Sequence, residues 1–147
     1  MRFEEKVIIG CPIQRVWNFV IDPVAVGPCI PGFEKVEVIS DREFTNLIKA
    51  KVGFISVRFK IKTTFEEIVP YKSIRTLGEG SEIHNLGHFK QNSCVTFGEL
   101  SENETEVCGW SEVSLVGRIA TFGERIIRAK AKETVKEFVE TLRKRLE

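Results

Sequence analysis

The sequence predicts an α+β fold in which a curved, seven-stranded antiparallel sheet wraps around one long C-terminal helix. Between Phe33 and Leu115, apolar and polar residues alternate with a period of two, which is typical of antiparallel strands. From Arg118 to Glu147, apolar residues instead recur every three or four positions, which is typical of an amphipathic helix. A helix of about 30 residues is roughly 45 Å long and can run across the whole sheet. Packing the two apolar faces together completes the domain.

Local signals define the N-terminal elements. Arg2 to Ile9 alternate between apolar and charged residues, which predicts a strand. Pro12 suits the first turn of a helix, where its missing N–H is not needed. Asp22-Pro23 ends that helix, because the residue before a proline disfavours helical geometry. The segment from Val24 to Cys29 has room for one more helical piece, so two short helices are predicted after the first strand.

Turn-forming residues divide the alternating region into six further strands, giving seven in all. The turns are predicted at Ser40-Asp41-Arg42, Gly53, Pro70-Tyr71-Lys72, Gly78-Glu79-Gly80 and Ser101-Glu102-Asn103. The clearest strand runs from Val57 to Phe65, where one face is apolar and the other carries Arg58, Lys60 and Lys62. One side of the sheet is therefore predicted to face water, and the other a core or a cavity.

Length and composition limit the class of protein. The 147 residues fit a single domain, residues 1–147, and 42% hydrophobic residues are enough to build a core. The 22 basic and 21 acidic residues leave a net charge of +1, which argues against nucleic acid as a partner. No run approaches the roughly 20 apolar residues of a membrane span. The charged N-terminus lacks the apolar stretch of a secretory signal, so we expect a cytoplasmic protein.

Side chains that could support catalysis or hold a metal are sparse. His84 and His88 are the only histidines, and in an extended segment they lie about 13 Å apart, too far to share a metal ion. The four cysteines are scattered singly, and neither a nucleophile elbow nor a phosphate-binding loop occurs. The sequence therefore predicts no metal site, no cofactor and no catalytic residue, with the two histidines at most lining a cavity mouth.

The last hairpin decides which residues line the inner face of the sheet. If its turn centres on Glu102 and Asn103, Cys94 lies opposite Ser111, and Cys94 and Cys108 point to opposite faces. The inward face then consists of small residues, which leave space beneath the helix. The predicted lining of an apolar cavity is Phe59, Ile61, Phe65, His84, His88, Thr96, Gly98, Gly109, Ser111, Val113, Phe122 and Ile126. A tightly packed core without a cavity is the alternative.

The same register directs Val95, Phe97 and Trp110 to the outer face, where an apolar patch indicates a partner surface or a homodimer interface. The alternatives are a bulge that shifts the register, or shielding by neighbouring charged side chains. A second apolar feature, Gly53-Phe54-Ile55, forms a hairpin tip. It could gate a cavity, touch a membrane or pack as a corner, of which the packed corner is favoured.

Several short motifs accompany this order of elements. They include Val16-Trp17-Asn18-Phe19, Cys29-Ile30-Pro31-Gly32, Gly117-Arg118-Ile119-Ala120 and Phe122-Gly123-Glu124-Arg125-Ile126-Ile127. In this order and spacing they resemble the CoxG family, whose namesake is a subunit of carbon monoxide dehydrogenase. That family belongs to the helix-grip superfamily, which is also called START-like, polyketide-cyclase-like or SRPBCC. The resemblance extends from Phe3 to about Ile127, which is nearly the whole domain.

The resemblance implies an accessory protein of molybdenum-containing carbon monoxide dehydrogenases, not their catalytic subunit. It suggests the handling of a lipid-like or quinone-like molecule, a dehydrogenase partner, and at most peripheral contact with the inner face of the membrane. We therefore predict a non-catalytic protein that binds a hydrophobic small molecule. One rival is a cyclase- or hydrolase-type enzyme on the same fold, with His84, His88 or glutamates at the cavity mouth. The other is an oligomerising interaction module built on the patch around Trp110.

Overall fold

The computed structural model describes residues 1–147. The strands are β1 (Arg2–Ile9), β2 (Phe33–Val38), β3 (Glu43–Val52), β4 (Ile55–Val69), β5 (Ser73–Glu82), β6 (His88–Ser101) and β7 (Glu104–Val116). The helices are α1 (Ile13–Val20), α2 (Pro23–Val26) and α3 (Glu124–Leu146), with 3₁₀ turns at Gly27–Cys29 and Arg118–Phe122. None of the helices combines the length and the apolar composition that crossing a bilayer requires.

All neighbouring strands pair antiparallel, in the order β1-β7-β6-β5-β4-β3-β2. Strands β2 to β7 form a meander, and β1 returns to pair with β7, so β1 and β2 are the two edges. The predicted α+β architecture is confirmed: seven strands in one sheet, two short helices after the first strand, and a long C-terminal helix.

The short helices form where the sequence predicts them. Ile13, Val16 and Trp17 are buried along one side of α1, as their helical spacing requires. The Asp22 side chain accepts a hydrogen bond of 3.0 Å from the Val24 N–H and so caps α2. These two helices close one end of the sheet and leave its middle to α3.

Two predicted boundaries are wrong. Gly78-Glu79-Gly80 lies within β5 and does not form a turn; the break falls at residues 83–87. A Cβ on Gly80 would come within 2.3 Å of the Lys60 carbonyl oxygen, so this glycine allows β4 and β5 to approach closely. The C-terminal segment is not one helix either, because Gly123, at φ +90°, separates the second 3₁₀ turn from α3. With its 23 residues, α3 is about 35 Å long.

Helix α3 runs along the inner side of β1. Near its start, the Arg128 guanidinium donates a hydrogen bond of 3.1 Å to the Arg2 carbonyl. At its end, the Glu147 carboxylate accepts a hydrogen bond of 2.7 Å from the Gly10 N–H. The edge strand therefore fixes the direction of the helix, which extends over the inner face of the sheet.

The core is divided into two clusters, and only 21 of the 147 residues are buried. The large cluster lies where α1 and the end of α3 meet the sheet. Its members are Ile9, Cys11, Ile13, Val16, Trp17, Phe65, Ile74, Phe97, Leu142 and Leu146. The small cluster lies at the other end of the sheet and consists of Val52, Val57 and Ile119. The core is thus interrupted between the two ends of the inner face.

Candidate functional site

The β6–β7 hairpin differs in register from the prediction. Its turn does lie at Glu102-Asn103. A β-bulge at Leu100 then shifts every pair farther from the turn by one residue, so that Cys94 lies opposite Trp110 and not Ser111. Because side chains alternate between the two faces, this shift moves the β6 side chains beyond the bulge to the other face of the sheet.

The predicted interface is therefore wrong for two of its three residues. Val95 and Phe97 point inward, and Phe97 packs edge-on against Trp17, with the ring centroids 5.1 Å apart. Trp110 does lie on the outer face, but the Arg2 guanidinium covers its ring at 4.9 Å. The outer face consequently lacks the apolar patch on which a homodimer was predicted.

The shift also places the two cysteines of the hairpin on one face. Cys108 lies opposite Thr96, so it points outward together with Cys94, contrary to the prediction. Both thiols are free and half-buried.

Most of the predicted cavity residues do come together on the inner face. The strand register places Phe59, Ile61, Phe65, Gly109, Ser111 and Val113 there, and Phe122 packs beside the small cluster. Thr96 and Gly98 point outward instead, because the bulge reverses their faces. Ile126 is 45% exposed on α3 and does not belong to the inner lining.

Neither histidine lies in the inner lining. His84 is exposed in the loop of residues 83–87. His88 begins β6 on the outer face, where its Nδ1 lies 3.0 Å from the Ser81 hydroxyl and its Nε2 lies 3.8 Å from the Glu79 carboxylate. No three His, Cys, Asp or Glu side chains are close enough together to hold a metal ion.

A hollow lies between the middle of the inner sheet face and α3. The inward apolar side chains that border it are only half-buried: Phe59, Ile61, Phe89, Val113 and Leu115. On the helix, Ile127, Ala131 and Val135 are half-buried too. The helix approaches β1 and β3 more closely than the central strands. The two surfaces therefore do not close against each other, and water reaches the space between them.

The floor of the hollow is more polar than predicted. Thr76 and Ser93 lie side by side on β5 and β6, with their hydroxyl oxygens 2.7 Å apart. Gln91 lies over the bare backbone of Gly78, where a Cβ would be 3.6 Å from Oε1 of Gln91. Thr63 is opposite Gly78 on β4. Prediction missed these residues because the bulge brings the odd-numbered positions of β6 inward.

An apolar pocket of about 150 Å³ continues the hollow beneath α1 and α2. Its walls are Val20, Pro23, Val26, Phe44, Thr63, Phe65, Ile74, Thr76 and Val95. An apolar cavity of this volume accommodates a benzene-sized group. Thr63 and Thr76 belong both to this wall and to the polar floor, so a ring in the pocket would lie next to hydrogen-bonding groups.

The largest depression of the surface, about 1190 Å³, is not part of the hollow. It lies on the outer face of β4 to β7 and is lined by Lys60, Lys62, Lys90 and His88 together with Glu79 and Glu112. Charges of both signs in an open depression suit a hydrated surface better than a site for a hydrophobic molecule. The chemistry that the sequence predicts therefore belongs to the smaller, inner space.

Glu82 is the only charged residue that is buried, with 2% of its surface exposed. Its carboxylate accepts hydrogen bonds from the backbone N–H groups of Arg58, His84 and Leu86 at 2.8, 2.6 and 3.4 Å. Burial by itself raises the pKa of this carboxyl, but the three donors outweigh burial and hold the pKa below its usual range. Glu82 therefore fixes the loop of residues 83–87.

The hairpin tip between β3 and β4 is not a packed corner. Gly53 lies against the Phe122 ring, so closely that a Cβ would be 2.6 Å from it. Phe54, next in the chain, is 94% exposed. The favoured prediction for this tip is wrong, and an aromatic ring projects into solvent at this end of the sheet.

Comparison with known proteins relates this geometry to a family. The model of the CoxG family, described by its carbon monoxide dehydrogenase subunit, matches residues 6–147. A conserved protein from Geobacillus kaustophilus has a TM-score of 0.91 at 16% identity, covering 99% of this chain and 95% of that one. Among the curated proteins, none matches this sequence.

Two further solved structures share the fold. A START superfamily protein from Mycobacterium smegmatis has a TM-score of 0.76 at 15% identity, with 99% of this chain and 96% of that one covered. The Zhui aromatase/cyclase from Streptomyces sp. R1128 has a TM-score of 0.73 at 12% identity, with 99% and 93% covered. These identities relate the fold alone, whereas the family model spans nearly the whole chain. The chain, with its START-like fold, belongs to the CoxG family of carbon monoxide dehydrogenase.

Proposed function

We propose that this chain is a non-catalytic protein that binds a hydrophobic or amphipathic small molecule, of a lipid-like or quinone-like kind, in the hollow. The observation that carries the proposal is the interrupted core, in which apolar side chains of the sheet and of α3 stay half-buried. Apolar surface left in contact with water costs about 25 cal/mol per Å². An occupant that covers this surface is therefore favoured.

The family supports an accessory role. It is named for a subunit of carbon monoxide dehydrogenase, and a dehydrogenase of that kind is the proposed protein partner. Proposed, too, is action in the cytoplasm with peripheral contact at the inner face of the membrane. The exposed ring of Phe54 supports this contact, because Lys51, Arg118 and Arg125 are exposed at the same end of the sheet. Cations around an apolar tip suit anionic lipid headgroups.

A cyclase- or hydrolase-type enzyme has less support. Its acid–base candidates His84 and His88 lie outside the hollow. The buried carboxylate of Glu82 is already engaged by three backbone donors. Titratable groups that converge on one point of the inner lining, which such an enzyme needs, are lacking among the candidates that the sequence indicates.

The proposal is tested first by identifying what the protein carries. Gently purified protein is weighed by native mass spectrometry and then extracted with organic solvent, and the extract is analysed by mass spectrometry. We expect an apolar molecule of lipid-like or quinone-like size in the extract, together with a matching mass difference in the native spectrum.

Two glycines provide a matched pair of variants for a second test. Gly109 faces the hollow, where a Cβ would have its nearest neighbours at 3.9 Å, whereas Gly98 faces outward with no atom within 4 Å. Gly109→Leu should weaken the binding of the dye anilinonaphthalene sulfonate severalfold, because the new side chain fills the hollow. Gly98→Leu should bind like the unchanged protein. Equal dye binding by all three proteins, or no binding by any, would contradict a ligand site in the hollow.

A further inference from the structure

Asn46 is a buried amide on the inner face of β3. It lies opposite Ile61 of β4, and only 6% of its surface is exposed. Its Oδ1 atom lies against Gly27, where a Cβ would be 3.6 Å away, and next to the Phe33 ring, which is 3.1 Å from the same point. Neither neighbour offers a donor to this oxygen, and Oδ1 has no hydrogen-bond partner in the protein.

An unpaired buried oxygen is costly, because the amide has lost water and gained no donor in return. In native proteins such atoms are rare and call for an explanation, of which a missing ligand is one. An apolar residue at position 46 would avoid this cost between Ile61 and Phe33. Asparagine at this position is therefore a sign of binding more than of folding.

The position of Asn46 relates it to the 150 Å³ pocket. Phe44, two residues earlier on the same face of β3, is part of the pocket wall, as is Thr63, which lies opposite Phe44 on β4. Val26, the residue before Gly27, is also part of the wall. The amide thus borders the pocket on the side nearest β2, while the polar floor of Thr63 and Thr76 borders it on the other.

We propose that Asn46 is the polar anchor of the ligand site and that it accepts a hydrogen bond from a hydroxyl or N–H group of the ligand. This inference rests on the proposed function and narrows its ligand class. A ring or short alkyl group fills the apolar pocket, and a donor on that group reaches the Asn46 oxygen. A hydrocarbon or an ether satisfies the pocket but leaves the oxygen unpaired.

A matched pair of small probes tests this assignment. Para-propylphenol carries a hydroxyl donor, and its methyl ether, para-propylanisole, does not. Titration calorimetry should show that the unchanged protein binds the phenol about tenfold more tightly than the ether, the ratio expected for one hydrogen bond to a buried acceptor. Asn46→Leu should bind both probes alike. Asn46→Ser, which keeps an oxygen acceptor, should retain part of the preference.

Asn92 provides the control. Its Oδ1 is also buried without a partner, but it lies opposite Leu77 and Glu112 on the outer face. Asn92→Leu should keep the full preference for the phenol. Thermal melting of each variant verifies that it folds, and Asn46→Leu should melt no lower than the unchanged protein.

The outcomes separate the two proposals. If the unchanged protein binds both probes equally, or if Asn46→Leu keeps the preference, the anchor is overturned while the hollow remains a binding site. If neither probe nor the dye binds at all, the proposed function fails and the anchor fails with it.

Discussion

The two ends of the sheet differ in how they are packed. At the closed end, defined by the large cluster, ten buried apolar residues join the sheet, α1 and the last turns of α3. At the open end, defined by the small cluster, only Val52, Val57 and Ile119 are buried. Phe54 and Ile126, which belong to the open end, are 94% and 45% exposed. The difference teaches that folding energy is concentrated at one end, which frees the other end and the space between them for binding.

The largest expected effect is a loss of stability at the closed end. Leu142 is 3% exposed, so Leu142→Ala should lower the free energy of unfolding by about 2–5 kcal/mol, through lost burial and the cavity left behind. Ile126→Ala, on the same helix, should change it by less than about 0.5 kcal/mol. Urea unfolding followed by circular dichroism measures both. Similar losses for the two variants would break the comparison.

A second effect, with a pH dependence, is expected at the open end. The pKa of Glu82 is lower in the folded chain than in the unfolded one, because three backbone donors favour its charged form. Its contribution to stability is therefore complete above the usual carboxyl pKa, about 4, and is lost as the pH falls through the lower folded value. Glu82→Gln should be less stable at neutral pH, and the difference should shrink in acid.

Urea unfolding between neutral pH and the acid range measures this dependence. Glu66→Gln, an exposed glutamate of β4, is the control and should differ little from the unchanged protein at any pH. A difference between Glu82→Gln and the unchanged protein that stays constant down to acid pH would show that the carboxylate charge is not what fixes the loop.

The smallest effect on stability, with the sharpest effect on binding, is expected at the hairpin tip. Phe54→Ser should change the free energy of unfolding by less than about 0.5 kcal/mol, since the ring has almost no contacts to lose. It should reduce flotation with vesicles of phosphatidylglycerol and phosphatidylcholine. Ile39→Ser removes an apolar residue, 55% exposed, from the opposite end and should leave flotation unchanged. Equal flotation of all three proteins would exclude the tip as a membrane contact.

The fold was predictable because it depends on patterns that extend over many residues. The alternation in β4 and the helical spacing in α3 each repeat often enough that one exception does not matter. The boundaries were less predictable where a glycine has two uses. Gly78 and Gly80 resemble a turn in sequence, yet the close approach of Gly80 to the Lys60 carbonyl requires a glycine inside a strand.

The candidate site was harder to predict because it depends on a single residue. The turn at Glu102-Asn103 was predicted correctly, but the bulge at Leu100 has no glycine or other signal, and it exchanges the two faces of β6. Thr96 was therefore placed inside and Val95 outside, the reverse of their positions. Residues on β4, which no bulge separates from their predicted register at Phe59 and Ile61, were placed on the correct face.

The gap between the two core clusters also relates ligand supply to the survival of the protein. A guest that occupies the gap acts as the missing part of the interior. It stabilises the folded chain by about 2.7 kcal/mol when its free concentration is a hundred times its dissociation constant. Chains without a guest unfold more often and are degraded sooner, since proteases act on the opened form. The steady amount of this protein in a cell would then follow the amount of its guest, with no dedicated regulator.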